Sequence, residues 1–215
     1  MNILIIFLIH WYSSLFFQTV FLHRYSSHQM FTMSRFWEKV FFGFSFITQG
    51  SSFLNPRAYA ILHRLHHKYS DTEKDPHSPE FSKNIIMLNL NTIKHYESIR
   101  RNKKDYSKYD QNVPRWLWLE KFSDHWITRV SFMVTYTLIY VAYTTSTWQY
   151  MLLPIHFVMG PLHGSIVNWC GHRYGYINDK STNDKSKNTL PIDFLMMGEL
   201  FQNNHHSRPK TINFS

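Results

Sequence analysis

Apolar residues are concentrated in a few long runs that lack charge, and the charged residues lie between these runs. Residues 3–22 contain 15 apolar side chains and no Asp, Glu, Lys or Arg. A membrane-spanning helix needs about 20 predominantly apolar residues, so this run is long enough to cross a bilayer once. Residues 130–172 form a second charge-free run of 43 residues, which fits two crossings at 130–147 and 149–169. The pattern predicts an all-α integral membrane protein with about three transmembrane helices.

A third charge-free run, residues 40–56, is too short to cross a bilayer twice. If it crossed once, the histidines before and after it would lie on opposite faces of the membrane. We therefore expect an interfacial or re-entrant helix there. A signal peptide is the alternative interpretation of residues 3–22, but the positively charged n-region and the small-residue cleavage site of such a peptide are both missing.

The positive charge of the chain has a marked bias in position. The net charge is +9, and 20 of the 23 Lys and Arg residues lie within 57–129 or after His172. Both ends of the predicted hairpin emerge on one side of the membrane, and the positive-inside rule makes that side the cytoplasm. We expect the segments 57–129 and 172–215 to form a cytoplasmic helical cap. The single cysteine, Cys170, excludes an intrachain disulfide and fits a reducing compartment.

Histidine is the residue type that points to chemistry, because neutral imidazole is the commonest metal ligand in proteins. The chain has 14 histidines, and most of them occur in clusters with regular spacing. The clusters are His23 and His28; His63, His66 and His67; His205 and His206, with Gln202 three residues earlier; and His172, four residues after Asn168. Spacings of three and four place side chains on one helical face. His23 and His28 are five apart, about 140° on a straight α-helix, so the helix must end or bend there, or the two rings address different points.

Each cluster alone is compatible with an ordinary surface or membrane-interface feature. Together they lie beside the cytoplasmic ends of apolar segments, on one predicted side of the membrane. Eight converging imidazoles without a metal would repel one another when protonated, so the joint pattern predicts metal binding. Eight nitrogens shared by two ions fit either two closed tetrahedral zinc sites or two octahedral irons with open positions. Ligand count does not choose between them.

Three phrases of the sequence resemble the three histidine boxes of the membrane fatty acid desaturases, in particular the acyl-CoA type. They are HRYSSH from His23, HRLHH from His63 and QNNHH from Gln202. The likeness extends to HHKYSDTEKDPHSP after the second box, to GEL before the third, and to Asn168 and His172 after the hairpin. It covers most of the chain, from the first apolar run to Pro209.

The resemblance implies a cytoplasmic site with two non-haem iron ions and molecular oxygen as co-substrate. By this resemblance the metal ligands would be His23, His28, His63, His66, His67, His172, His205 and His206, with Asn168 bound through water. Gln202 stands where the family usually has a ninth histidine, and its amide oxygen is a poorer candidate ligand. No residue beyond these ligands is assigned a catalytic role.

The resemblance also implies oxygen-dependent desaturation of fatty acyl chains, carried as acyl-CoA or acyl-lipid. No G-x-G-x-x-G motif for a flavin or nicotinamide is present, so a separate electron-donor protein of cytochrome or ferredoxin type is expected. The expected partners are thus the acyl substrate, this donor and membrane lipid, and no nucleic acid. Two alternatives remain open: a related di-iron hydroxylase or ketolase, and a catalytically impaired or non-enzymatic membrane metal-binding protein.

Two further departures from the family pattern affect these expectations. Only one apolar run precedes the first box, where larger members have two, which implies three crossings. The chain stops nine residues after His206, where the family commonly continues.

Several polar residues near the boxes have open roles. Asp71, Glu73 and Asp75 are either hydrogen-bond acceptors for ligand histidines or exposed turn residues. The histidines His77, His95 and His125 have no partner pattern and are not predicted as ligands.

Overall fold

A computed structural model of the chain describes residues 2–215, which fold into helices joined by loops. No strand occurs among these residues, and two isolated antiparallel bridges pair Asn188 with Tyr176 and with Phe201. The predicted all-helical class is therefore confirmed. The chain divides into two compact units. One comprises the residues through Phe21, Met33–Leu54 and Arg115–Leu162, and the other comprises Leu22–Thr32, Asn55–Pro114 and His163–Ser215.

The helices follow one another along the chain with short connections. They are α1 (Ile3–Phe17), a π-helical continuation (Gln18–Ser27), α2 (Arg35–Gln49), α3 (Pro56–Tyr69), α4 (Ile85–Arg100), α5 (Leu117–Asp124), α6 (Trp126–Tyr143), α7 (Leu153–Phe157), α8 (Met159–Arg173) and α9 (Gln202–Ser207). Short 3₁₀ turns occupy Gly50–Ser52, Ser107–Tyr109 and Thr147–Leu152. The predicted interfacial segment at 40–56 is thus mostly the C-terminal part of α2, which ends where Gly50 adopts a positive φ of 50°.

In the first unit, α1 packs against α2 and α6. Large side chains such as Leu15, Phe42 and Tyr140 are fully buried there. The outward surface of α6 is also apolar: Val130, Val134, Leu138 and Val141 are all exposed. Their spacing of three and four residues places them along one helical face, as expected of a helix whose outer surface contacts lipid.

One helical run among the described residues, Ile3–Ser27, is long and apolar enough to cross a bilayer. A second would qualify if Thr147–Phe157 and Met159–Arg173, which are bent by 82° at their break, formed one interrupted span. The first run contains the predicted span 3–22. The predicted third span, 149–169, is not a straight helix, because the bend falls within it. Three crossings stay a prediction.

The second unit is organised around α3, which packs against α4. Asn55 starts α3 by accepting a hydrogen bond from the backbone N–H of Ala58 at 3.1 Å, and Pro56 occupies the first turn, a position where its missing N–H costs nothing. One face of α3 supplies Ala58, Ile61 and Leu62 to a small core that also contains Ile99. Three histidines lie near the C-terminal end of the same helix.

Candidate metal centre

The first histidine pair lies on the π-helical segment Gln18–Ser27 and directly after it. The backbone N–H of His28 donates to the carbonyl oxygen of His23 at 3.2 Å, which is the i to i+5 bond that defines a π-helix. Residues five apart are therefore one turn apart here, and the two ring centroids are 4.9 Å from each other. From the sequence, the helix had to end or bend at this pair, or the two rings had to address different points. In the structure the helix widens instead, and both rings stay together.

Arg64 links this widened helix to the second box. Its guanidinium donates to the carbonyl oxygens of Ser26 at 2.9 Å and Ser27 at 2.8 Å. It also donates to the carbonyls of Tyr109 and Gln111, both at 2.8 Å. Carbonyls at the end of a helix have no partner within the helix, so one side chain of α3 satisfies two of them. The neighbouring residue His63 is thereby held against the first box.

Five histidines form the first group of converging rings. Each offers one ligand atom, and all five atoms lie within 4.8 Å of one another; the residues are His23, His28, His63, His67 and His205. The Nε2 atoms of His28 and His63 are 2.7 Å apart, and those of His63 and His67 are 3.0 Å apart. The Nε2 atom of His205 is 3.0 Å from that of His67 and 3.1 Å from that of His23. All five ring nitrogens therefore face one point.

The second group contains His66, His172 and His206, whose ligand atoms also lie within 4.8 Å of one another. All eight predicted histidines thus fall into two groups, five in one and three in the other. In the second group every Nε2 atom is buried without a hydrogen-bond partner. Unpartnered buried nitrogens are costly unless something binds them.

The opposite nitrogen of each ring in the second group contacts a carboxylate. The Nδ1 atom of His66 is 2.9 Å from Asp75, that of His172 is 2.8 Å from Asp71, and that of His206 is 2.6 Å from Asp184. This arrangement fixes the ring hydrogen on Nδ1 and leaves the Nε2 lone pair for a metal. Asp71 and Asp75 are therefore buried acceptors, whereas Glu73 is exposed.

A fourth carboxylate supports the first group. Glu199 lies 2.6 Å from the Nδ1 atom of His23 and also pairs with Arg24. Sequence reasoning assigned no role to Glu199 or to Asp184. Glu199 belongs to the GEL phrase before the third box, which was a usable signal, whereas Asp184 lies in a polar loop that offered none.

The environment keeps most of these rings neutral. Burial lowers the pKa of His28 to about 2, and the nearby His23 ring adds to the effect. Burial likewise lowers the pKa values of His63, His67 and His205 well below 6.5. Burial also opposes protonation of His66, but the Asp75 carboxylate outweighs it and raises the pKa of His66. Neutral imidazole is the form that binds metal.

The two remaining candidate ligands, Asn168 and Gln202, use their side-chain nitrogens for hydrogen bonds within the chain. Asn168 donates its side-chain N–H to the carbonyl oxygen of Gly164 at 3.0 Å, and the same nitrogen is 3.2 Å from Nδ1 of His77. The side-chain nitrogen of Gln202 donates to the Glu199 carbonyl at 2.6 Å. His77, which the sequence did not single out, is buried beside His66, with ring centroids 4.4 Å apart.

The other histidines are outside both groups. In the first unit His10 contacts His156, with their Nδ1 atoms 3.4 Å apart, and the Nε2 atom of His10 lies 2.6 Å from the carbonyl oxygen of Thr48. His95 and His125 are exposed.

Three relatives found by comparison with known proteins all carry desaturase names. The chain is 28% identical over 191 residues to the Delta-9 desaturase-like 4 protein of Arabidopsis thaliana, covering 86% of this chain and 58% of the relative. It is 26% identical over 198 residues to the sn-1 stearoyl-lipid 9-desaturase of Synechocystis sp., covering 88% and 56%. It is 28% identical over 169 residues to an acyl-CoA Delta(11) desaturase of Choristoneura rosaceana, covering 74% and 48%. The chain therefore spans about half the length of these relatives.

The family model described as fatty acid desaturase matches residues 1–214, almost the whole chain. Its match includes all three boxes and the two groups of rings that they form. The chain belongs to the fatty acid desaturase family.

Proposed function

We propose that this protein desaturates fatty acyl chains at two histidine-bound non-haem iron ions, using molecular oxygen and electrons from a separate donor protein. The observation that carries the proposal is the convergence of five Nε2 atoms on one point, beside three further rings whose Nε2 atoms are buried without partners. The family and its relatives supply the substrate class, an acyl chain carried by CoA or by a lipid.

The nitrogen spacing in the first group favours iron over tetrahedral zinc. Metal–imidazole distances are about 2.1 Å, so ligands at right angles lie about 3.0 Å apart and tetrahedral ligands about 3.4 Å apart. The four Nε2 pairs at 2.7, 3.0, 3.0 and 3.1 Å match the right-angled arrangement. Five converging nitrogens also exceed the four of a closed tetrahedral zinc site, whereas a non-haem iron could accept them.

The charges around the rings also suit a pair of iron ions. All eight histidines offer uncharged nitrogen when neutral, and the four negative charges come from Asp71, Asp75, Asp184 and Glu199, one layer further out. Carboxylates behind metal-bound histidines orient the rings and raise their basicity. Asn168 would hold water for one ion, and Gln202 is the remaining candidate ligand.

When bound, the two irons would supply the oxidising power that removal of hydrogen from an unactivated methylene requires. The residues of this chain provide the rest. The ligand rings are mostly buried, which keeps bulk water from the reacting carbon. The aspartates accept the Nδ1 hydrogens of His66, His172 and His206 and so keep each ring in the tautomer that presents Nε2 inward.

A cleft beside the second group is the proposed docking site for an electron-donor protein of cytochrome or ferredoxin type. The cleft has a volume of about 410 Å³ and reaches His172. Its charged lining residues are Arg173, Lys185 and Lys187 together with Glu80 and Asp184, and Lys185 pairs with Glu80. Electrostatic complementarity speeds the encounter of such partners. A donor seated there would lie next to a ligand ring.

We propose that the protein is an integral membrane protein and that its metal centre lies on the cytoplasmic side. The apolar run Ile3–Ser27 and the exposed apolar face of α6 support membrane residence. The clustering of Lys and Arg in 57–129 and after His172 supports the orientation. The three crossings at 3–22, 130–147 and 149–169 belong to this proposal.

The function is tested by expressing the chain in a host that lacks its own desaturase and analysing acyl chains by mass spectrometry. We expect new monounsaturated chains with the unaltered protein and with His95→Ala, whose side chain is exposed and belongs to neither group. His66→Ala should abolish them. Hydroxylated chains without new double bonds would instead identify a hydroxylase, and purified protein that binds metal but leaves the acyl chains unchanged would identify a metal-binding protein.

A further inference from the structure

The second group of rings has fewer protein ligands than the first. It contains three imidazoles, against five in the first group. Gln202 stands at the sequence position where the family usually has a ninth histidine. Its side-chain nitrogen donates a hydrogen bond to the carbonyl oxygen of Glu199. An octahedral ion bound by the three rings would keep positions for small molecules from solution. Polar protein groups near those positions would contact such a molecule.

His77 is a buried polar side chain next to this group: one ligand atom each of His66, Asp75 and His77 lie within 4.8 Å of one another. It is 7% exposed, and its ring lies edge-on to that of His66, at 4.4 Å between centroids and an interplanar angle of 81°. Its Nε2 atom is buried and has no hydrogen-bond partner. The ring is fixed from the other side, where Nδ1 faces Asn168 at 3.2 Å.

The hydrogen bonds of Asn168 determine where the His77 ring carries its hydrogen. The side-chain nitrogen of Asn168 is 3.0 Å from the carbonyl oxygen of Gly164, and a carbonyl oxygen can only accept. The amide must therefore present its NH₂ group on this side, and an amide NH₂ can only donate. Its second hydrogen points to Nδ1 of His77, which accepts. A neutral imidazole has one N–H, so the hydrogen of His77 is on Nε2.

A buried N–H without an acceptor is destabilising, and no described residue accepts this one. We propose that the Nε2–H of His77 is a hydrogen-bond donor to a small oxygen or anionic ligand that would bind beside the second group when that group holds an ion. His77 thus differs from His66, His172 and His206, which carry their hydrogen on Nδ1 toward a carboxylate. The inference rests on the proposed metal centre.

Azide binding to the cobalt-substituted protein tests this donor. Cobalt(II) gives visible absorption that reports ligand binding, and azide is a small anion that can accept a hydrogen bond. We expect His77→Leu to keep two metal ions per chain but to weaken azide binding by about tenfold or more, the ratio typical of a hydrogen bond to a charged group. His77→Gln, which keeps an N–H donor, should recover part of the affinity, and His95→Leu should change nothing.

The outcomes separate this inference from the proposed function. Unchanged azide affinity in His77→Leu would overturn the donor role while leaving the metal centre intact. Loss of one metal ion in His77→Leu would also overturn it, because His77 would then be a ligand. Failure of the unaltered protein to bind two metal ions would reject the centre itself, and the inference with it. Metal content measured on each variant also shows that the variant is folded.

Discussion

The backbone N–H of His28 donates to the carbonyl oxygen of His23, five residues earlier, at 3.2 Å. This single bond explains how a pair with an unfavourable α-helical spacing can bring both rings into one group. A π-helix is rare and usually occurs as one turn, whereas here it extends over Gln18–Ser27. A structure of this kind needs support from outside the helix, and Arg64 supplies it.

Arg64→Ala should destabilise the site that it connects. The guanidinium binds four carbonyl oxygens, two of them at the end of the π-helix, and a hydrogen bond to a charged group contributes about 1.5–3 kcal/mol. We expect a loss of about 3 kcal/mol and a fall of several degrees in Tm, measured by thermal unfolding in detergent. Arg101→Ala is the control: Arg101 is mostly exposed and pairs with Glu97, so its loss should cost less than about 1 kcal/mol.

Asp184→Asn should weaken metal binding without removing a ligand. The Asp184 carboxylate accepts the Nδ1 hydrogen of His206 at 2.6 Å, and loss of such a partner typically lowers metal affinity about 10- to 100-fold. Competition with a chromophoric chelator measures the affinity. Asp105→Asn, on an exposed loop, provides a matched change of charge and should leave the affinity unaltered. Equal affinities for the two variants would contradict the role of Asp184.

Gly171→Ala should disturb the third box through packing alone. A methyl group at Gly171 would overlap the Cγ atom of Gln202, and overpacking of a filled interior typically costs about 1–3 kcal/mol. A similar change at Gly43, within α2, meets no atom within 4 Å and should be neutral or stabilising by up to about 1 kcal/mol, because Ala favours helix. A smaller loss of thermal stability for Gly171→Ala than for Gly43→Ala would refute this packing argument.

Acid should destabilise the metal-free protein. The pKa of His28 is lowered to about 2 and that of His206 to about 4 in the folded chain, whereas both return to about 6.5 on unfolding. Below pH 6.5 the unfolded state therefore binds more protons than the folded state. The free energy of unfolding then decreases as the pH is lowered, by up to about 1.4 kcal/mol per pH unit for each such group. Thermal unfolding of chelator-treated protein at pH 7.5, 6.5 and 5.5 measures this effect. A Tm that stays constant or rises on acidification would disagree.

The clusters of histidines could be recognised from the sequence, because their spacing is a local property. His63 and His67 of α3 converge in the first group, whereas His66 belongs to the second, a division that the spacing alone did not predict. The pairing of His23 with His28 was not accessible, since it depends on a π-helix that only the surrounding contacts stabilise. Asp184 and His77 were not accessible for a similar reason. Each lies in a loop without periodicity, and its partner is 22 residues away for Asp184 and 91 residues away for His77.

The apolar runs were a weaker guide than the histidines. Length and lack of charge predict a hairpin over 130–172, but they do not encode the 82° break between Thr147–Phe157 and Met159–Arg173. Pro154, in the first turn of α7, and the glycine at position 160 lie on either side of that break. Proline and glycine indicate that a helix can be interrupted. The direction of the chain after the interruption depends on packing, which the sequence pattern does not show.

The contact between the Nε2 atoms of His23 and His205 joins residues that are 182 positions apart in the sequence. A nascent chain therefore cannot assemble the five-nitrogen group until nearly all of it has been translated. The apolar runs between these two histidines would already have reached the bilayer by then. If the proposed function holds, iron acquisition is thus expected to be a late step of biosynthesis, which follows membrane insertion instead of guiding it.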